Sequence, residues 1–195
     1  MELFFLTFMV MIGIFFITGL VLYIVWFIII LFNSKFFRIS PSISSDVKSS
    51  KIIAKYIKNY IEKNKVENPR VLDIGSGYGR LLFFINKEIK NVNLVGYEIS
   101  KFAFKISKML NFNKNIHFVN DNIFNLKDFD FDIITTFLFV KQQKEIKELY
   151  QKFKVGTIII SNSFKIPFEE DDGFELIDVI PVHPKWNVNV YKKIE

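Results

Sequence analysis

From Leu3 to Phe32 the chain is an almost unbroken run of Leu, Ile, Val, Phe and Met, and no charge stands between Glu2 and Lys35. About 20 such residues cross the hydrocarbon core of a bilayer. Thirty helical residues at about 1.5 Å each reach roughly 45 Å, so a tilted span or an interfacial end is expected. A secretory signal would need a positive start, an apolar stretch of about 7–15 residues and a small-residue cleavage site. Here Glu2 occupies the start, the run is about twice too long for that class, and Asn33-Ser34-Lys35-Phe36 offers no cleavage site. The pattern predicts a transmembrane helix over residues 3–32.

The pattern then changes twice. Ser34 to Ser50 holds seven serines and Pro41, the composition of a linker. From Asp46 to Asn64, apolar residues recur at Ile53, Tyr56, Ile57, Tyr60 and Ile61. That is the spacing of an amphipathic helix, with lysines on the opposite face. Linker and helix make a juxtamembrane segment, residues 33–68, that Pro69 closes. Beyond it, Val71–Ile74, Asn93–Tyr97, Ile116–Val119, Phe131–Phe139 and Thr157–Ser161 predict short strands. Between them, Leu81–Ile89, Lys101–Leu110 with Ser100 as N-cap, and Lys141–Phe153 predict helices. Gly156 stands where a helix C-cap glycine would. Alternation of this kind builds a parallel sheet covered on both faces. The tail departs from it: Phe174–Val179 and Asn187–Lys192, joined around Pro181 and Pro184, predict a closing antiparallel hairpin.

Charge changes the picture only once it is located. The net charge is +6. Residues 35–65 hold eight basic side chains (Lys35, Arg38, Lys48, Lys51, Lys55, Lys58, Lys63 and Lys65) against Asp46 and Glu62, which accounts for the whole excess. Basic residues directly after a span place the downstream chain on the cytoplasmic side, with the N-terminus outside, and suit anionic headgroups. The rest of the chain, residues 1–34 and 66–195 together, holds 18 basic and 18 acidic side chains, and the absence of a basic surplus there argues against a nucleic-acid partner. With no cysteine and two histidines, His117 and His183, no metal site is expected.

The chemistry-bearing stretch is Val71-Leu72-Asp73-Ile74-Gly75-Ser76-Gly77-Tyr78-Gly79-Arg80. Glycines after a strand let the backbone turn tightly and approach a ligand, while the next helix directs free N–H groups at it. A dinucleotide fingerprint would put glycine at position 80; the chain has Arg80 there and Gly79 one place earlier. Two further acids stand downstream. Glu98 ends the second strand, where a carboxylate accepts both ribose hydroxyls. Asp121 comes after the third strand, in reach of an adenine amino group. Acids at the C-terminal ends of three consecutive strands outline the crevice of an open α/β sheet.

Over residues 69–195 the chain resembles class I S-adenosylmethionine-dependent methyltransferases. It is similar in particular to the small family of lysine methyltransferases that includes the mitochondrial enzymes modifying ATP synthase subunit c and the adenine nucleotide translocase, with archaeal and bacterial relatives. Those too carry an apolar N-terminal segment, then a Pro-containing linker and helix, ahead of a compact domain. The resemblance rests on Asp73-Ile74-Gly75-Ser76-Gly77, Gly79-Arg80, Gly96-Tyr97-Glu98, Asp121, Val155-Gly156-Thr157-Ile158-Ile159-Ile160-Ser161, Phe164 and Val190-Tyr191. Tyr78 stands where that family commonly has Asp, Phe137 where it has Tyr, and Val140 where it often has Pro. The resemblance implies a Rossmann-like α/β domain over 69–195, its mostly parallel sheet ending in an antiparallel hairpin. It implies S-adenosyl-L-methionine as cofactor, bound by Asp73, Gly75, Ser76, Gly77, Gly79, Glu98, Ile99, Asp121 and Asn122.

The acceptor is less legible. A lysine has to arrive neutral, against a solution pKa near about 10.4; polar strand-end residues in position to help are Thr135, Thr136, Ser161, Asn162 and Ser163, with Phe137 at the acceptor pocket. Enzymes that methylate nucleic-acid amino groups usually carry an Asn/Asp-Pro-Pro-aromatic motif after the fourth strand, and this chain has Thr136-Phe137-Leu138-Phe139. The acidic run Glu169-Glu170-Asp171-Asp172 reads as a solvated loop. The expected activity is methyl transfer to a lysine of a membrane-associated protein. A lipid or quinone acceptor is the alternative, and a non-catalytic membrane adaptor comes after it.

Overall fold

The computed structural model describes residues 1–33, 46–111, 115–184 and 186–195, which fall in two compact units, Met1–Pro41 and Ser42–Glu195. Most of the predicted linker, including Lys35, Arg38 and Pro41, lies outside the described residues. The first unit is helix α1, Glu2–Asn33. Its stretch Phe4–Trp26 has a mean hydropathy of 2.6, and none of it is buried. Its apolar residues run on every side, and by length and composition the helix is long and apolar enough to cross a membrane.

The second unit opens with α2, Val47–Asn64, capped by Asp46, whose carboxylate accepts from the Ser49 N–H at 2.9 Å. Strands β1 (Arg70–Ile74), β2 (Asn93–Tyr97), β3 (Ile116–Val119), β4 (Ile133–Thr136) and β5 (Ile158–Asn162) are parallel. β6 (Phe174–His183) and β7 (Trp186–Lys193) add the antiparallel pair. The order is β3-β2-β1-β4-β5-β7-β6, so it reverses between β1 and β4. Helices α3 (Arg80–Glu88), α4 (Lys101–Leu110), α5 (Val140–Glu145) and α6 (Lys147–Tyr150) complete the unit.

Strand side chains alternate between faces, and the apolar runs therefore feed two cores. Val71, Leu94, Ile133, Ile158 and Ile160 point to one, with Ile53, Ala54 and Ile57 of α2 and Leu81, Leu82 and Ile85 of α3. Leu72, Ile74, Ile134 and Ile159 point to the other, with Ile146, Leu149, Tyr150 and Phe153. The amphipathic face of α2 thus belongs to the core of the α/β unit, which begins ahead of the sequence boundary at residue 69.

Three local readings change. The helix expected over 141–153 breaks at Ile146 (φ −96°, ψ 7°) into α5 and α6, which lets Gln143 and Tyr150 meet. Gly156 caps no helix: at φ +92° it turns the chain into β5 and donates its N–H to Lys193 O. Pro181 sits inside β6 and not in the turn, a place open to proline because β6 is the edge strand and its outer side needs no N–H.

Gly96 of β2 is a close helix–sheet contact. A Cβ there would lie 2.8 Å from Leu82 Cδ1, 2.9 Å from Ser76 Oγ and 3.0 Å from Phe118 Cδ1. Closed on three sides, Gly96→Ala is expected to destabilise the protein by about 1–3 kcal/mol through overpacking. Thermal unfolding of the detergent-solubilised chain checks it, with Gly13→Ala, which meets nothing within 4 Å, as a variant that leaves the transition in place.

Candidate functional site

Between β1 and α3 the chain uses three glycines at positive φ: Gly75 (+76°), Gly77 (+54°) and Gly79 (+82°). Left-handed backbone is cheap only for glycine, which explains the spacing. Space matters as well at Gly79, where a Cβ would lie 2.5 Å from Phe118 Cζ. The N–H groups of Gly75 and Ser76 both donate to Tyr97 O at 2.9 Å, tying the loop to the end of β2. Gly79 is the N-cap of α3, so the first N–H groups of that helix have no partner within it.

Glu98 is buried, and its two carboxylate oxygens accept from the N–H of Gly77 (2.8 Å) and of Ser100 (2.7 Å). Its neighbour Ile99 is 61% exposed. Asn120 Nδ2 donates to Glu98 O at 2.7 Å, joining the ends of β2 and β3. Asp121 is exposed, and its Oδ1 accepts from Asn122 N and Asn125 Nδ2, each at 2.7 Å. Asn122 caps a short 3-10 turn by accepting from Phe124 N–H at 3.1 Å. The predicted cofactor residues therefore gather at the C-terminal ends of β1, β2 and β3, beside the point where strand order reverses. That is where open α/β sheets bind ligands.

Asp73 lies deeper. It is 5% exposed, and Thr135 Oγ1 donates to its Oδ1 at 2.7 Å. Burial pushes the Asp73 carboxyl up to about 7; the Thr135 hydroxyl opposes this and the Glu98 charge adds to it. Thr135, a candidate for the acceptor pocket, is thus a partner of Asp73.

At the C-terminal ends of β4 and β5, where the sequence places the acceptor candidates, polar side chains are bound to one another. Gln143 Nε2 donates to Ser161 Oγ at 3.2 Å and to Thr136 Oγ1 at 3.5 Å. Tyr150 OH donates to Gln143 Oε1 at 2.9 Å, and burial pushes that phenol well above its ordinary range. Asn162 is buried, and Ser163 Oγ donates to its Oδ1 at 3.3 Å. What faces outward here is aromatic. Phe137 stacks on Phe164 (centroids 6.1 Å apart, 21° between planes), and Phe139 meets Phe164 at 5.3 Å. Sequence reasoning missed Asn120, Gln143 and Tyr150. The last two carried a signal, since Gln143, Ile146 and Tyr150 share one helical face and a buried polar residue there needs partners.

The cradle fits a ligand of nucleoside type. Gly75 and Gly77 leave the strand end without side chains, Ser76 Oγ is buried with no hydrogen-bond partner, and acid, apolar and amide groups stand around it. Comparison with known proteins bears on the fold and the family. A structure of an RNA methyltransferase from Salinibacter ruber in complex with S-adenosyl-L-homocysteine superposes with a TM-score of 0.57 at 16% identity, covering 72% of this chain and 90% of that one. The ribosomal protein L11 methylase of Lactobacillus delbrueckii subsp. bulgaricus gives 0.57 at 18%, covering 75% and 78%. At these identities the likeness is one of fold. In sequence, the chain is 36% identical over 77 residues to the release factor glutamine methyltransferase of Fusobacterium nucleatum, a stretch covering 37% of this chain and 22% of that curated relative. The family model described as a methyltransferase domain matches residues 65–185, well over half of the 195, and on that extent the chain belongs to the methyltransferase-domain family.

Proposed function

We propose that the protein is a membrane-anchored methyltransferase that uses S-adenosylmethionine to methylate a lysine of a membrane-associated protein. The anchor is α1, with its N-terminus outside and the α/β unit cytoplasmic. The observation that carries this reading is an unburied, uncharged helical stretch, Phe4–Trp26, on a chain whose methyltransferase unit has, among the described residues, no lid over its strand ends. Only residues 163–173 separate β5 from β6.

The cofactor supplies an electrophilic methyl group on a sulfonium. Glu98 is assigned to the ribose hydroxyls, Asp121 and Asn122 to the adenine edge, and Ile99 to the adenine face. Gly75, Ser76, Gly77 and Gly79 line the loop, and Asp73 faces the cationic end. Transfer is a displacement in line, so the residues chiefly hold two groups in register. A lysine fits the acceptor end better than an amide does. Amide nitrogen is deactivated by resonance and would need a strong polar acceptor, whereas the polar groups at Thr136, Ser161 and Asn162 are already engaged. Apolar surroundings lower the pKa of a lysine and favour the neutral amine, and the rings of Phe137, Phe139 and Phe164 suit its stem and the methylated cation. A glutamine acceptor, as the name of the Fusobacterium relative has it, is the second reading. A lipid or quinone is the third.

Three tests bear on these assignments. Glu98→Gln is expected to weaken binding of S-adenosylhomocysteine about tenfold or more, the scale of a lost charge-assisted bond. Calorimetry reads it, and unchanged affinity removes the ribose assignment. Asp73 provides the second. Its carboxyl is protonated below about 7 in the free protein, and a cationic ligand favours the carboxylate. Binding therefore releases a proton, and affinity for S-adenosylmethionine is expected to rise with pH up to about 7, by at most about tenfold per unit. Asp73→Asn is expected to flatten that slope. For the third, membranes incubated with the enzyme and tritiated S-adenosylmethionine are expected to carry label in protein, on lysine. Deleting residues 1–34 is expected to slow that reaction far more than methylation of a free peptide bearing the same lysine, because the tether raises effective concentration. Label confined to extractable lipid replaces lysine with the third reading.

A further inference from the structure

We propose, resting on the reading of α1 as an anchor, that the exposed lysine face of α2 lies against an anionic lipid surface and so fixes which side of the α/β unit meets the membrane. In α2 the core face is Ile53, Ala54, Ile57 and Ile61. Lys48, Lys51 and Lys55 are exposed and Lys58 is half-buried. At 3.6 residues per turn these four fall within an arc of about 80° opposite the core face, spread over about 15 Å of axis. The only acid in that arc is Glu62, one turn beyond Lys58; Asp178 of β6 stands near Tyr56 at the helix flank. Lys51 Nζ lies 6.0 Å from the Phe84 ring, and Lys87 of α3 is exposed as well. The amphipathic pattern thus has a second function after packing: its outer face carries most of the charge that makes the chain basic.

Chain connection supplies the partner. α1 ends at Asn33 and α2 is capped by Asp46, and thirteen residue steps reach at most roughly 45 Å even fully extended. If α1 spans a bilayer, α2 is never far from its headgroups. Juxtamembrane lysines are attracted to anionic headgroups within about a Debye length of the surface. Docking through α2 leaves the strand ends clear, because Asp73, the glycine loop, Glu98, Asp121 and the Phe137–Phe164 stack all lie on other elements. The site then faces along the membrane surface, where a lysine on a membrane protein would be presented.

The chain has no cysteine, so a fluorophore can be placed at will. Asn59→Cys puts one on the outer face of α2. Glu145→Cys puts a control on α5, whose Gln143 bonds to Thr136 and Ser161 on the face of the sheet opposite α2. The full-length protein is placed in nanodiscs carrying a headgroup quencher. The discs are made of phosphatidylcholine alone, or with about a quarter phosphatidylglycerol, which supplies the anionic surface. The expected result is quenching at residue 59 in the anionic discs only, and little at 145. Raising salt to about 0.5 M, where the Debye length is about 4 Å, is expected to remove it. Replacing Lys48, Lys51, Lys55 and Lys58 by Gln is expected to do the same: at about a factor of five per lysine, the docked-to-undocked ratio falls several hundred-fold. Equal quenching at both positions, or quenching at 59 indifferent to lipid charge and salt, overturns the docking while the anchor stands. A chain that does not enter the discs overturns the anchor reading, and the docking with it.

Discussion

The carboxylate of Glu98 accepts one N–H from the glycine loop and one from the start of α4, at 2.8 and 2.7 Å. Those two bonds tie the glycine loop, 21 residues earlier, and the start of α4, two residues on, to the end of β2. The loop after β1 is held by its own strand's neighbour, the end of β2 is fixed, and α4 is launched from a capped start, Ser100 accepting from Ala103 N–H at 3.4 Å. Asn120 then ties β3 to the same spot. A buried carboxylate has to be satisfied by donors, and backbone N–H groups are donors whose positions the fold has already set. The same group therefore shapes both the glycine loop and the start of α4.

Sidedness is the second organising constraint. Because strand residues alternate, Asp73 and Thr135 fall on one face of the sheet and Thr136 and Ser161 on the other. The first pair lies on the face that α2 and α3 cover, toward the glycine loop. The second pair is closed by Gln143 and Tyr150 from α5 and α6. With those polar groups engaged, the ends of β4 and β5 present the rings of Phe137, Phe139 and Phe164. Such an end is in keeping with the proposed lysine acceptor, because an amine, once neutral, needs no further activation to attack.

The two units divide labour through composition. The region from residue 66 onward is close to balance, with 18 basic and 17 acidic side chains, α1 is uncharged beyond Glu2, and six of the charges in excess stand in 35–65. α2 joins these roles, since one face completes the core above the sheet and the other carries lysines. A helix of 18 residues has room for both because each face needs only every third or fourth position.

Much of this was legible before any coordinates. The apolar run, the alternation of strands and helices, the antiparallel ending and the acids at three strand ends all come from short-range pattern, because periodicity and strand-end chemistry are written locally. Helix α2 was legible too, but its membership in the core was not: amphipathic spacing says that a face is buried, not against what. The break at Ile146, the strand position of Pro181 and the true place of Gly156 depended on neighbours distant in sequence. So did the partners of Thr135, Thr136 and Ser161, which local reading left as free polar groups. By itself the sequence determined the elements, the glycine geometry and the family resemblance. Only the tertiary structure decided which polar atoms remain available to a ligand, because hydrogen-bond satisfaction in the interior is settled between residues that only folding brings together.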